Sequence, residues 1–265
     1  MTTVTARRRH PMAAMALLLI ALVATGFAYA AATSTSGATA SAAADAASQT
    51  LIDEGKQLYL EGCSSCHGLG AEGTKNGPTL IGVGAAAVDF QVSTGRMPLA
   101  RPEAQAPRKA PQYTDEEIAA LAAYVASLSP GPAIPSAEDL DYTDAELAVG
   151  GELYRTNCAQ CHGVSGSGGA LTYGKYAPSL EGVTPQHIYE AMLTGPSNMP
   201  VFGDQTLTPE DKQAIIKYIE TITTSPDPGG TSLGRLGPVT EGVFIWVVGL
   251  GVLIGFAVWI GVKAA

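Results

Sequence analysis

The chain has 265 residues, 46% of them hydrophobic, and a formal charge of −9 from 24 acidic and 15 basic side chains. That negative charge is spread over most of its length, which disfavours nucleic acid as a partner. It holds only four cysteines and four histidines, so any chemistry built on them is confined to a few places.

In chain order, Arg7-Arg8-Arg9 precede an apolar stretch, Pro11–Ala30, that ends in Ala28-Tyr29-Ala30. This is the pattern of a signal peptide with a small-residue cleavage site, and its length also suffices for a membrane helix. Residues 1–30 are therefore read as a signal peptide or a retained N-terminal anchor helix, with cleavage preferred. Residues 31–50 are rich in Ala, Ser and Thr with one charge, and are expected to form a flexible tether.

Residues 51–128 make the first expected domain. Within it, Cys63-Ser64-Ser65-Cys66-His67-Gly68 contains Cys-x-x-Cys-His, the attachment signature of c-type haem. On a helical turn, positions i, i+3 and i+4 share one face, so two thiols and an imidazole point at one macrocycle. The thiols become thioethers to the haem vinyls and the imidazole binds the iron. Further on, Thr114 with Glu117 predicts a capping box, and Ile118, Leu121, Ala122, Val125 and Leu128 follow helical spacing. Between the two lies a loop, Arg96–Gln112, with Arg96, Arg101, Arg108 and Lys109 among four prolines. It is read as a solvated loop or as a docking surface for an acidic partner.

Residues 129–145 hold Glu138, Asp139, Asp141 and Asp144 with prolines at 130, 132 and 135, an acidic, semi-rigid linker. Residues 146–224 then repeat the first domain. Cys158-Ala159-Gln160-Cys161-His162-Gly163 is a second haem motif, and Gly150-x-x-Leu153-Tyr154 answers Gly55-x-x-Leu58-Tyr59. Pro178-Ser179-Leu180 answers Pro78-Thr79-Leu80. Thr94-Gly95-Arg96-Met97-Pro98 corresponds to Thr194-Gly195, with Met199-Pro200 following. Thr208-Pro209 supplies an N-cap with proline at the first helical position, and Ile215, Ile219 and Ile222 keep helical spacing. The duplicated unit of about 80 residues is enough to bury one haem and little else. Zinc sites place their cysteine pairs much closer than Cys66 and Cys158, and a redox dithiol needs no histidine after each pair. His187 has no counterpart in the repeat and His10 sits in the basic leader, so neither is given a ligand role.

Residues 225–238 form a last linker. Gly242–Val262, without one charge and stopped by Lys263, reads as a transmembrane helix within 239–263. Its Gly251-Val252-Leu253-Ile254-Gly255 pattern permits close packing on a membrane neighbour, although glycine is common in such helices. Arg7–Arg9 and Lys263 place both chain ends on the cytoplasmic side, with the two domains extracytoplasmic (periplasmic) at the cell membrane.

The two domains, over roughly Leu51–Leu128 and Leu147–Thr224, resemble class I cytochrome c domains. The resemblance implies an all-α fold, with N- and C-terminal helices packed together, haem between them and methionine on the distal side. By that likeness His67 and His162 are proximal iron ligands. Met97, the only methionine of its domain, is the first distal ligand. In the second domain Met192 and Met199 compete; Met199 is favoured because it copies the Met-Pro loop, whereas Met192 falls in a helix as filler. The family also gives Pro78 and Pro178 the carbonyls that orient each histidine. Two filled axial positions leave no open site for peroxide or oxygen chemistry, and no catalytic residues are expected.

Two such domains followed by one membrane helix resemble the dihaem cytochrome c (cytochrome cc) subunits of actinobacterial-type cytochrome bcc menaquinol–cytochrome c reductases. The resemblance implies a cytochrome b subunit and a Rieske iron–sulfur subunit as partners. It also implies an electron path from the Rieske centre through two covalently bound c-type haems to a haem–copper cytochrome c oxidase. The chain would then belong to an enzyme complex while itself only transferring electrons. The alternative is a membrane-anchored dihaem carrier serving a periplasmic dehydrogenase.

Overall fold

The structure, a computed structural model, describes residues 11–101, 103, 105–226 and 238–264. The basic Arg7–Arg9 leader and most of the 225–238 linker lie outside the described residues. Helix α1 runs unbroken over Pro11–Gly62. This corrects the expectation of a flexible tether at 31–50, whose backbone is helical. Alanine has the highest helix propensity of any residue, and here it outweighs the Ser, Thr and Gly that suggested disorder. The apolar Met12–Phe27 stretch of α1 is exposed along its length.

The first domain is built on the C-terminal part of α1, which crosses α4 (Asp115–Leu128). Between them come the single turn α2 (Ser64–His67) and α3 (Gly84–Ser93). The second domain repeats the plan with α5 (Leu147–Asn157), the turn α6 (Ala159–His162), α7 (Pro185–Thr194) and α8 (Pro209–Thr224). The terminal helices start where the sequence predicts. Thr114 and Glu117 cap α4 reciprocally, and Thr208 with Asp211 does the same for α8.

What sets the crossing is one glycine in each domain. A Cβ at Gly55 would lie 1.9 Å from the Ala120 carbonyl oxygen, and one at Gly150 would lie 1.9 Å from that of Ala214. Only a residue without a side chain lets the two backbones touch there. Beside each crossing a tyrosine pair packs with centroids 5.3 Å apart, Tyr59 on Tyr124 and Tyr154 on Tyr218. Around these pairs gather Ile118, Leu121 and Val125 in one core, and Ile215, Ile216 and Ile219 in the other. Burial of each such side chain contributes about 1.5–3 kcal/mol.

The duplicates differ in loop length, the first having the longer stretch between its Met-Pro pair and its last helix, Met97 to Thr114 against Met199 to Thr208. Between haem motif and proline the second domain is five residues longer, and the extra chain forms a short antiparallel hairpin, β1 (Gly169–Ala170) on β2 (Tyr176–Ala177). Tyr173 and Gly174 at its tip both have positive φ. The acidic linker is pinned at both ends. Pro132 O accepts from Ala86 N at 3.1 Å, while Lys217 Nζ donates to Thr143 O and Ala145 O at 2.7 and 2.8 Å. The domains also touch directly, α3 against α7. Gln105 clasps the hairpin edge, its amide pairing with Tyr176 O at 2.7 Å and Tyr176 N at 3.0 Å. Helix α9 (Pro238–Ala264) includes a span, Gly242–Lys263, of mean hydropathy 2.6 with none of it buried, long and apolar enough to cross a membrane.

Candidate haem centres

Each Cys-x-x-Cys-His motif closes into one helical turn. His67 N and Cys66 N both donate to Cys63 O, and His162 N and Cys161 N both donate to Cys158 O. The turn ends at a glycine with positive φ, Gly68 at +87° and Gly163 at +76°, which a side-chain-bearing residue would adopt only under strain. A buried tyrosine fastens the turn to the domain's first helix. Tyr59 Oη donates to Gly68 O at 2.6 Å, and Tyr154 Oη to Gly163 O at 2.7 Å. Burial pushes Tyr59 up to about 12 and raises Tyr154 as well, so both hydroxyls stay protonated donors.

The two histidines are held alike. His67 Nδ1 lies 2.7 Å from Pro78 O, and His162 Nδ1 lies 2.9 Å from Pro178 O. A proline carbonyl can only accept, so the proton sits on Nδ1 and the Nε2 lone pair is free for a metal. Burial lowers the His162 pKa, against the pull of the Pro178 carbonyl, and so favours the neutral ring that iron ligation requires. No disulfide joins the four cysteines, so each sulfur is available for a thioether. Burial raises Cys63, and it pushes Cys158 up to about 11, with the neighbouring Cys66 and Cys161 adding to the effect. Among the described residues the cysteines form no metal-sized cluster with other ligand types.

Around the second motif lies a crevice of about 1270 Å³, solvent mouth included, walled by Cys158, Cys161, His162, Met192, Met199 and Ile215. Two thiols, one imidazole with a free Nε2, thioether sulfur and apolar walls are the donor set and lining that a c-type haem requires. The first domain offers the same donors in the same turn, with Met97 half-buried against its core. In the second, Met199 is half-buried on a loop, whereas Met192 is 2% exposed within α7.

Sequence reasoning missed one part of the second crevice. Its far wall comes from the first domain and includes Phe90, Arg96, Gln105 and Arg108. The Arg96 guanidinium stacks 4.7 Å above the Phe90 ring. Burial and the nearby Arg108 lower its pKa. Among the described residues the ion pairs are Arg101–Glu103 and Lys212–Asp204, so neither Arg96 nor Arg108 has a carboxylate partner. The concentration of cations in an otherwise acidic chain was the available signal.

Residues 52–129 match the family model for cytochrome c, and residues 145–219 match that for cytochrome c oxidase, cbb3-type, subunit III. The cytochrome bc1 complex cytochrome c subunit of Corynebacterium efficiens is 49% identical over 231 residues, covering 82% of this chain and 78% of that one. The subunit of the same name from Mycobacterium tuberculosis is 46% identical over 264 residues, covering 97% and 93%. A cbb3-type cytochrome c oxidase subunit FixP from Sinorhizobium medicae is 33% identical over 96 residues, 30% of this chain and 31% of that one. With two cytochrome c domains, a C-terminal apolar helix and this similarity over most of its length, the chain belongs to the cytochrome bc1 complex cytochrome c subunits, electron-transfer subunits of an oxidoreductase that bind c-type haem covalently.

Proposed function

We propose that the chain holds two c-type haems and relays electrons from a Rieske iron–sulfur centre to a haem–copper oxidase. The observation that carries this reading is the duplicated turn, with each histidine pinned through Nδ1 to a proline carbonyl. A bound haem supplies reversible one-electron iron chemistry. The chain does the rest. Cys63 and Cys66 hold one group as thioethers, Cys158 and Cys161 the other. His67 and His162 would offer Nε2 to the iron, and Met97 and Met199 would offer their thioether sulfurs. Pro78 and Pro178 fix the ring planes. Met192 is enclosed in the core within α7, whereas Met199 sits on a loop lining the crevice, which favours Met199 as ligand. Arg96 and Arg108, without carboxylate partners among the described residues, suit the acid groups of the second haem.

The acceptor side of this reading is an oxidase copper site, and the donor side is a Rieske subunit beside cytochrome b. Helix α9 anchors the domains on the extracytoplasmic face and keeps them concentrated near both partners. Intact mass of the purified chain after extraction of free haem tests the count: two haem masses above the apo mass are expected, and one or none refutes it. In membranes, His162→Ala is expected to stop quinol from reducing the oxidase while the first haem stays reducible. Oxidase reduction at the normal rate in that variant would overturn the relay.

A further inference from the structure

Helices α3 and α7 meet across the domain boundary through polar groups, one of which, His187, also borders the second crevice. Gln186 Nε2 donates to Asp89 Oδ2 at 2.9 Å and to Glu190 Oε1 at 3.1 Å, holding the two carboxyl groups together. Glu190 is 0% exposed, and its other oxygen, Oε2, has no hydrogen-bond partner. His187 stands beside them. Ser93 Oγ donates its one hydrogen to Asp89 O at 2.5 Å, so at 2.9 Å it can only accept from His187 Nε2. The proton is therefore on Nε2, and Nδ1 carries a lone pair that is buried and without a partner. One ligand atom from each of Asp89, His187 and Glu190 lies within 4.8 Å of the other two.

Beyond the Gln186 amide, whose hydrogens already go to the two carboxyl groups, the cluster holds more acceptor positions than donors. A shared proton between the carboxyl groups would leave Nδ1 unmatched. A water has two hydrogens for three acceptors and neutralises no charge. A cation could take one lone pair from each of the three side chains and offset the carboxylate charge. A neutral imidazole whose second nitrogen is held by an oxygen is also how metal-binding histidines are oriented.

We propose that Asp89, His187 and Glu190 form a divalent-metal site that ties the two domains together. One histidine and two carboxylates suit Zn²⁺ or another first-row cation, with a water completing a tetrahedron. One ligand comes from the first domain and two from the second, so the ion fixes how the domains sit against each other.

The test uses the full-length haem-loaded protein in detergent, stripped with a chelator and dialysed against Zn²⁺. Elemental analysis should find one zinc per chain, and X-ray absorption at the zinc edge should find only N and O neighbours at about 2.0–2.1 Å. Glu190→Gln and Asp89→Asn should each weaken zinc binding at least about tenfold, and Ser93→Ala, which frees the ring tautomer, by about tenfold. Haem absorption and far-UV circular dichroism report whether each variant is folded; if Glu190→Gln fails that check, Asp89→Asn carries the test. No stoichiometric zinc, a zinc content unchanged by both carboxylate substitutions, or a sulfur shell from motif cysteines would each overturn the proposal.

Discussion

Replacing Gly150 with alanine adds a single methyl group, yet the structure places it 1.9 Å from Ala214 O and 2.5 Å from Ala214 C. Carbon and carbonyl oxygen settle at about 3.3–3.6 Å, so α5 and α8 must part by about 1.4 Å or bend. A radial gap of 0.5–1 Å already forfeits about a quarter to a half of each dispersion contact, and the contacts at stake are those of Tyr154, Ile215 and Ile219. Overpacking of this kind costs about 1–3 kcal/mol and occasionally more, offset by about 1 kcal/mol of helix propensity gained over glycine. Because the obstacle is backbone, which cannot rotate aside, the cost belongs at the top of that range and the net loss should be about 2 kcal/mol, in a domain whose whole stability is about 4–12 kcal/mol. With an m-value of about 1 kcal/mol/M in urea, the midpoint of the second domain should fall by about 2 M. Gly151→Ala is the control, because its Cβ meets only side-chain atoms of Arg155 and Tyr218, at 3.0 Å, which can shift. It should stay within about 1 kcal/mol of the parent. Gly55→Ala should reproduce the loss in the first domain, against Ala120 O. Equal midpoints for Gly150→Ala and Gly151→Ala, followed by far-UV ellipticity, would refute backbone contact as the reason for the glycine.

Lys212 is fully buried and donates to Asp204 Oδ1 at 2.6 Å and Leu207 O at 2.7 Å. Lys212→Met should cost about 1–3 kcal/mol in urea unfolding by stranding that carbonyl, and Asp204→Asn less, since its side chain is 64% exposed. Hydrogen bonds from the Ser136 hydroxyl and backbone hold Asp139 below the usual carboxylate range. A lowered folded pKa stabilises above the unfolded value and is lost as pH falls through the folded one. Asp139→Asn should therefore be destabilising at pH about 7, with the difference from the parent shrinking as pH falls below the unfolded carboxylate value of about 3.9. Met199→His should lower the reduction potential of one haem and leave the other nearly unchanged; a shift from Met192→His instead would move the distal ligand to α7. Deleting Thr240–Ala265 should release folded, haem-loaded domains into the soluble extracytoplasmic fraction, and retention in membranes would assign an anchor to Pro11–Ala30.

The parts of the fold that could be read from the sequence are those whose cause is local. The Thr114–Glu117 box, the Thr208-Pro209 start and the paired haem turns each sit within five residues, and each forms as its spacing dictates. Residues 31–50 misled because serine, threonine and glycine suggested disorder while alanine favours helix, and composition alone does not rank the two. The hairpin was visible only as a lengthened gap before Pro178. Most opaque was the contact between domains. Asp89 meets Gln186 across nearly a hundred residues, and no periodicity or motif joins them. Arg96 and Arg108 were legible as a charge cluster, but that they wall the other domain's crevice follows only from how α3 packs on α7.

That shared wall changes what the duplication means for inheritance. Two copies of a carrier unit begin as interchangeable parts, each free to be lost, replaced or varied alone. Once the loop holding Arg96 and Arg108 closes its neighbour's crevice, a substitution in the first copy's loop is felt at the other copy's crevice. The second unit cannot be transplanted as a free-standing cassette without exposing one side of its crevice to solvent. The first domain's core draws, among the described residues, on Ile118, Leu121 and Val125 and on nothing from the second, although its α3 rests on α7. Selection thus acts on the pair as one object.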